Sequence, residues 1–322
     1  MSKILVTGAG GFVGTYLIKE LQKSQNSEVS GSVFKSTSDL PAQAGISFLL
    51  SSDHIFEGDL SDLEFAHSLI QQTQPDIIFH LAALSVVGTS IDKAISVMNT
   101  NTTISYSVLE AFKAMAPTAR FVAICSANEY GAVEDLSHPI RESTPLRPLN
   151  PYAVSKVTQE MLSTMYGLAY GLDTVILRPF NHTGIGQTTD FVIPNLASQF
   201  AQIEKGTIPP IIELGNLGTI RDFTDVRDMV RAYVLAAGNC KSGEIYNIGS
   251  GEGHTISEIV SIFQSLSKVK VEIRTNPSLV RKADVPVLIA DASKFRESTG
   301  WEPKVSLETT ISDILNYWRK QT

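Results

Sequence analysis

The start of the chain constrains the fold more than any other stretch. Ile4-Leu5-Val6 is a short apolar run that passes directly into Thr7-Gly8-Ala9-Gly10-Gly11-Phe12-Val13-Gly14. From Thr15 to Lys23 the apolar residues Tyr16, Leu17, Ile18 and Leu21 recur at helical spacing. A buried strand, a glycine turn and a helix in that order form the context of a phosphate-binding fingerprint. Gly8 allows the tight turn, Gly11 lets the backbone approach a pyrophosphate, and Gly14 lets the helix pack close to the sheet. The helix N-terminus, with Phe12 and Val13, then faces negative charge. Glycines alone fit a plain strand–helix turn; the flanking strand and helix favour a dinucleotide.

Further strands and helices alternate with this unit. The second strand is expected over Glu28 to Phe34, where an acidic residue at the end would bond ribose hydroxyls. The end reads Ser32-Val33-Phe34-Lys35-Ser36, with no acid and with a cation that suits a 2′-phosphate. NADP(H) is therefore favoured and NAD(H) stays open, since a solvated Lys35 would read the same way. A third short strand around Phe56 leads to Asp59-Leu60, and Ser61 with Glu64 reads as a capping box opening the next helix. Asp76 to Leu81 is the fourth strand, followed by Ala82-Ala83 in a loop where a cofactor would lie. Ala94 to Met115 is mostly a long helix carrying Asn99. Arg120 to Cys125 is almost wholly apolar, as a parallel strand buried on both faces is. The alternation predicts an α/β fold with a doubly wound parallel sheet, the Rossmann arrangement.

Composition narrows the function classes. A formal net charge of −7 argues against a surface that grips nucleic-acid backbone, though not against small anionic ligands. Cys125 and Cys240 have no paired spacing, which suggests a reduced, cytoplasmic protein without a cysteine metal site. The six histidines show no ligand spacing either, so no metal is expected. No apolar run approaches the ~20 residues of a membrane span, and the run after Met1-Ser2-Lys3 is too short for a signal peptide.

The fifth strand delivers Ser126 at its C-terminal end, where open α/β sheets place ligands. A loop with Pro139, Pro145 and Pro148 follows, and then Asn150-Pro151-Tyr152-Ala153-Val154-Ser155-Lys156. Asn150 is a good N-cap and Pro151 suits the first helical position. A helix there puts Tyr152 and Lys156 on one face. An ammonium beside a phenol lowers its pKa, and such a phenol can trade a proton with a sugar oxygen. A surface tyrosine and lysine that happen to share a helix would show the same spacing. Val175 to Leu177 is a sixth strand, ending in Arg178-Pro179-Phe180-Asn181-His182.

The Gly8/Gly11/Gly14 turn, Ser126 at a strand end, and Tyr152 with Lys156 together resemble the extended short-chain dehydrogenase/reductases that modify nucleotide-activated sugars. The resemblance covers nearly the whole chain, including Asp59-Leu60, Asn99, Arg178-Pro179, Arg221-Asp222-Phe223 and Tyr246-Asn247-Ile248-Gly249. It implies that Ser126 holds the substrate oxygen, that Tyr152 donates or takes its proton, and that Lys156 lowers the tyrosine pKa and binds the nicotinamide ribose. Asn99 would support that lysine through water, and Asp59 and Leu60 would contact the adenine. Leu81, Ala82, Ala83 and Arg178 would complete the cofactor site.

Family dehydratases need a carboxylic acid two positions beyond the serine, where this chain has Asn128. Glu129 is one residue off, and neighbours along an extended chain point to opposite sides. Dehydration is therefore disfavoured, while nucleotide-sugar epimerases with a tightly held, recycled cofactor stay open. The segments Asn181 to Gly184, Phe191 to Pro194, Arg221 to Val226 and Arg281 to Pro286 are similar to those of members that use GDP-sugars. The resemblance gives Asn181, Val192, Arg221, Arg281 and Asp284 to the substrate, with the arginines on its diphosphate and Asp284 on the guanine edge. The expected reaction is NADPH-dependent reduction of the C4 carbonyl of GDP-4-keto-6-deoxy-D-mannose to GDP-D-rhamnose. The expected division is a dinucleotide domain over 1–178 and a smaller C-terminal α/β substrate-binding domain over 179–322, with part of 221–249 returning to the sheet. Members of the family pair as homodimers through a four-helix bundle, here the Ala94–Met115 and Tyr152–Tyr170 helices. Apolar Met161, Leu162, Met165 and Leu168 are compatible with that, and equally with core packing.

Overall fold

The computed structural model describes residues 1–34, 45–85, 93–280 and 285–322. Its strands in chain order are β1 (Ser2–Thr7), β2 (Ser27–Val33), β3 (Ile55–Glu57), β4 (Ile77–His80), β5 (Arg120–Ile124), β6 (Asp173–Pro179), β7 (Asn181–Thr183), β8 (Ile211–Leu214), β9 (Ile220–Asp225), β10 (Ile245–Ile248), β11 (Gly253–Thr255), β12 (Glu272–Thr275) and β13 (Val287–Leu288). The α-helices are α1 (Phe12–Leu21), α2 (Leu63–Thr73), α3 (Ala94–Met115), α4 (Pro151–Tyr170), α5 (Val192–Lys205), α6 (Val226–Asn239), α7 (Ile256–Leu266), α8 (Ser293–Thr299) and α9 (Leu307–Gln321).

Seven strands form a parallel sheet in the order β10-β6-β5-β4-β1-β2-β3. The chain turns back on itself between β1 and β4, and that reversal opens a crevice beyond the C-terminal ends of the strands. Register aligns those ends: Thr7 pairs with His80, and Ile124 with Leu177. Gly8, Leu81, Ser126 and Phe180 consequently leave the sheet along one edge.

Both faces of the sheet are covered, which is why the central strands β4 and β5 are mostly apolar. On one face α1 and α6 bury Leu17, Val230 and Tyr233; on the other, α2, α3 and α4 bury Leu69, Phe112 and Tyr166. A third core lies among α5, α7 and α9, around Phe200, Phe263 and Ile311. Beside it β9 pairs with β7, β11 and β13, and β12 with β8. The segment 221–249 thus starts in a small sheet and ends as β10, an edge strand of the large one, paired with β6. Cys125 and Cys240 are buried free thiols. Among the described residues no helix is long and apolar enough to cross a membrane.

The helix starts follow local hydrogen bonding. The Asn150 side chain accepts from the Ala153 amide at 2.8 Å and Pro151 fills the first turn, as the sequence leads one to expect. Gly171 ends that helix at φ +69°, in the left-handed region that favours glycine. The expected cap of α2 is corrected. Asp59 takes both the Ser61 amide and hydroxyl at 2.8 Å, so the serine is engaged upstream. Asp62 caps instead, accepting from the Glu64 amide at 2.9 Å.

Candidate active site

One cavity of about 870 Å³ runs along the crevice, from the end of β2 past the glycine turn to Tyr152. Gly8, Gly11, Phe12, Val13 and Gly14 line it. Gly8 has φ +71°, and a Cβ placed on it would sit 3.0 Å from the Ala82 backbone. A Cβ on Gly14 would come within 2.5 Å of the Gly8 carbonyl oxygen. The turn therefore tolerates no side chains at these two positions. Gly11 caps α1 without any side-chain hydrogen bond, so the amides of the first turn meet the cavity unshielded. Leu81, Ala82 and Ala83 form the opposite wall, with Asp59 and Leu60 towards β3.

That wall is fixed by a buried relay. The Thr7 hydroxyl accepts from the Leu81 and Ala82 amides at 3.2 Å and lies 2.9 Å from His80 Nδ1. With both lone pairs used, it donates to the ring. Burial, and then the Lys156 charge, push the His80 pKa down to about 3, so the imidazole stays neutral and accepts.

A dinucleotide fits these features. The cradle excludes side chains where a pyrophosphate approaches, an uncapped helix N-terminus supplies donors, and Ser32 Oγ is buried on the cavity wall with no partner among the described residues. At the end of β2 the wall is Ser32, Val33 and Phe34, with no carboxylate. Lys35 lies outside the described residues.

At the other end stand Ser126, Tyr152 and Lys156. Ser126 caps a 3₁₀ turn, Ala127–Tyr130. Its Oγ accepts from Asn128 N at 3.2 Å and Asn128 Nδ2 at 3.1 Å, which occupies both lone pairs. The hydroxyl proton is left to donate on the side of the Tyr152 phenol, whose pKa it draws down. Lys156 Nζ donates to the Ile124 carbonyl and to Gln159 Oε1, each at 2.8 Å, which ties α4 to the end of β5.

The expected lowering of the Tyr152 pKa by Lys156 is corrected by this geometry. Burial holds the phenol well above its ordinary value, the Ser126 hydrogen bond offsets part of that, and Glu129 raises it further. The ammonium is drawn to a carbonyl and an amide oxygen instead, and burial lowers its own pKa. Near neutrality Tyr152 is a phenol, charged with a proton to give.

Several other expectations also change. Asn99 is exposed and does not line the cavity; Ser96, Thr100 and Ile104 do, because residues three to four apart share a helix face. Asn101, two positions on, is buried and binds the Leu84 backbone and Ser155 Oγ. Arg178 is buried away from the cavity: its guanidinium holds Glu160 through two bonds of 2.6 and 2.7 Å and also donates to Tyr130 Oη. Arg221 is half-buried and turns back to the Ile220 carbonyl, off the cavity wall. Glu129 sits on a 3₁₀ turn rather than an extended chain, yet it still faces away from the cavity. Burial and the neighbouring Glu160 raise its carboxyl well above the usual range, while Arg178 pulls it down. Asn181 and Val192 line the cavity, and Arg281 and Asp284 lie outside the described residues. Gln159 and Tyr233 belong to the site without having been anticipated. Gln159 has a signal, since it stands three residues after Lys156 on the same face; an aromatic on the amphipathic α6 reads only as core.

Comparison with known proteins agrees with this geometry. A family profile described as GDP-mannose 4,6 dehydratase matches residues 5–314. The GDP-6-deoxy-D-mannose reductase of Pseudomonas aeruginosa is 31% identical over 247 residues, 77% of this chain and 81% of that protein. The GDP-6-deoxy-D-talose 4-dehydrogenase of Aggregatibacter actinomycetemcomitans is 30% identical over 300 residues, 92% of this chain and 91% of its own. The structure of RMD from Pseudomonas aeruginosa complexed with NADPH superimposes with a TM-score of 0.87 at 28% identity, covering 100% of both chains. With its glycine cradle and its Ser126–Tyr152–Lys156 cluster on this fold, the chain belongs to the GDP-mannose dehydratase-like branch of the extended short-chain dehydrogenase/reductases.

Proposed function

We propose that this protein reduces the C4 carbonyl of GDP-4-keto-6-deoxy-D-mannose with NADPH, giving GDP-D-rhamnose. The observation that carries the reading is the state of the Ser126–Tyr152 pair. Both hydroxyls are set to donate, Ser126 because Asn128 fills its lone pairs and Tyr152 because burial keeps its proton on. Two donors on the wall of one cavity suit an oxygen that is gaining negative charge. Bound at the glycine turn, NADPH would supply the hydride. Ser126 orients the carbonyl oxygen, Tyr152 passes its proton to it, and Lys156 has one ammonium hydrogen left for a ribose hydroxyl beyond its bonds to Ile124 and Gln159. Asn128 offers no carboxylate for eliminating the C6 hydroxyl, so a dehydratase lacks its base here.

The relatives named for GDP-6-deoxy sugars support a GDP-linked substrate, and the absence of an acid at the end of β2 supports the phosphorylated cofactor. Asn181 and Val192 would face the sugar nucleotide, with Arg281 and Asp284 reserved for its diphosphate and base. We further propose a homodimer through α3 and α4, whose outer faces expose Tyr106, Met161, Met165 and Leu168.

Loss of NADPH absorbance in the presence of GDP-4-keto-6-deoxy-D-mannose tests the reading, with NADH and a sugar-free blank alongside. Stoichiometric oxidation supports it, and NMR of the product separates the rhamno from the talo configuration. Conversion of a GDP-sugar without added cofactor, and without NADPH loss, would replace it with an epimerase.

A further inference from the structure

Tyr233 combines complete burial with an unused hydroxyl. It sits in the apolar core between α1 and the sheet, at 0% exposure, yet it forms part of the cavity wall. Its Oη has no hydrogen-bond partner among the described residues. Other tyrosines of comparable depth are satisfied: Tyr130 Oη donates to Asn247 at 2.6 Å and accepts from Arg178, and Tyr166 Oη donates to Glu110. Buried tyrosine hydroxyls as a rule find a partner. A phenylalanine would fill the same core without leaving a donor bare, so the hydroxyl points to a ligand.

Position says which kind. The Asp225 cap starts α6, and α6 then packs along α1, the helix that begins at the glycine turn. Tyr233 therefore lies on the dinucleotide side of the cavity that Tyr152 also lines, near enough to Tyr152 for ionisation of one to oppose ionisation of the other. Burial keeps it a phenol, able to donate. Resting on the proposed reduction, hydride must reach the carbon whose oxygen Tyr152 protonates, so the reacting ring must lie at this end. Its carboxamide, on the carbon next to the hydride-bearing one, is the polar group that ring brings.

We infer that Tyr233 is a positioning residue whose hydroxyl donates to the carboxamide oxygen of the bound nicotinamide and so fixes the ring's rotation beside Tyr152. Two ligand oxygens could in principle satisfy this phenol, the carboxamide's or a sugar hydroxyl's. The deeper setting against α1 favours the carboxamide.

The test compares Tyr233→Phe with the wild-type chain, using NADPH and 2′-phospho-ADP-ribose, the same cofactor without nicotinamide. Titrated by fluorescence without sugar, the variant should bind NADPH about five- to tenfold more weakly, as loss of one neutral hydrogen bond gives. It should bind 2′-phospho-ADP-ribose as the wild type does. Its melting temperature should be equal or higher, since an unpaired buried hydroxyl has been removed. Unchanged NADPH affinity overturns the assignment, as do equal losses for both probes, a lower melting temperature, or an effect confined to the KM of the sugar. A wild-type chain that binds 2′-phospho-ADP-ribose and NADPH but oxidises no keto-sugar overturns the proposed reduction while the Tyr233 contact survives; one that binds neither overturns both.

Discussion

Two clusters of buried polar residues stand on either side of the turn after β5, and they differ in whether the protein completes them. Around Arg178 every strong donor is answered: Glu160 takes the guanidinium fork, Tyr130 stacks on it at 4.9 Å and bonds Asn247, and Asn247 reaches the Ile140 carbonyl at 2.8 Å. Burial and the neighbouring Glu160 hold the Glu129 carboxyl well above its usual range, with one oxygen 3.6 Å from that cation. Around Tyr152 the bonds are directional but unfinished. Ser126 has a proton to give, Lys156 a third hydrogen, and Tyr233 a bare hydroxyl. A completed cluster can only hold the fold together, here by tying β6, β10, α4 and the loop after Ser126. An unfinished one at a cavity is where a ligand completes the count. Cys125, Glu129 and Glu160 bring their ligand atoms within 4.8 Å of one another, and the Arg178 guanidinium is the cation already beside them.

The sharpest way to break this contrast is to exchange the phenotypes. Arg178→Met should strand two buried carboxyl groups and lower stability by about 3–5 kcal/mol, read by urea unfolding. A stable Arg178→Met protein that has lost only cofactor affinity would return the arginine to the cofactor site. Tyr152→Phe should do the reverse. Turnover should drop about 10²–10⁴-fold, the worth of a positioned proton donor, with NADPH affinity and unfolding midpoint close to wild type. Wild-type kinetics in Tyr152→Phe would remove the proton role.

Why the sequence showed one cluster and concealed the other follows from spacing. The glycine turn and the Tyr152–Lys156 pair are local: each is decided within eight residues of chain, by backbone room or by a helix face. Ser126 needed only a strand end. Arg178 misled because a motif name carries no direction, and alternation along β6 sends its side chain into the α4 side, away from the cavity. Asn99 misled by two residues of helix phase. Tyr233 lies more than eighty residues beyond Tyr152, and only the crossover of α6 beneath the sheet brings them together. The effect of Lys156 on the phenol was misjudged because the carbonyl of Ile124, on another element, competes for the ammonium.

A milder perturbation sharpens the role of Asn128. In Asn128→Asp the side chain can only accept, so the Ser126 hydroxyl turns to it and ceases to donate into the cavity. Reductive turnover should fall about tenfold with little change in stability. If turnover is unchanged, the serine proton is not what the site uses. If the variant instead eliminates water from GDP-mannose, position 128 alone separates two chemistries on this scaffold.

The smallest expected effect is one of shape, in the pH profile. Burial raises Tyr152 and lowers Lys156, which reverses their usual order: on alkalinisation the ammonium gives up its proton before the phenol does. Activity in the reductive direction should therefore fall with rising pH as Lys156 becomes neutral and loses its third hydrogen, before Tyr152 titrates. Lys156→Arg carries a cation that does not titrate in this range. Whatever its rate, its alkaline limb should move to higher pH, while a tyrosine-controlled limb would stay in place. Superimposable limbs in the two proteins would mean that the phenol titrates first, and that a bound cofactor draws the ammonium back to it.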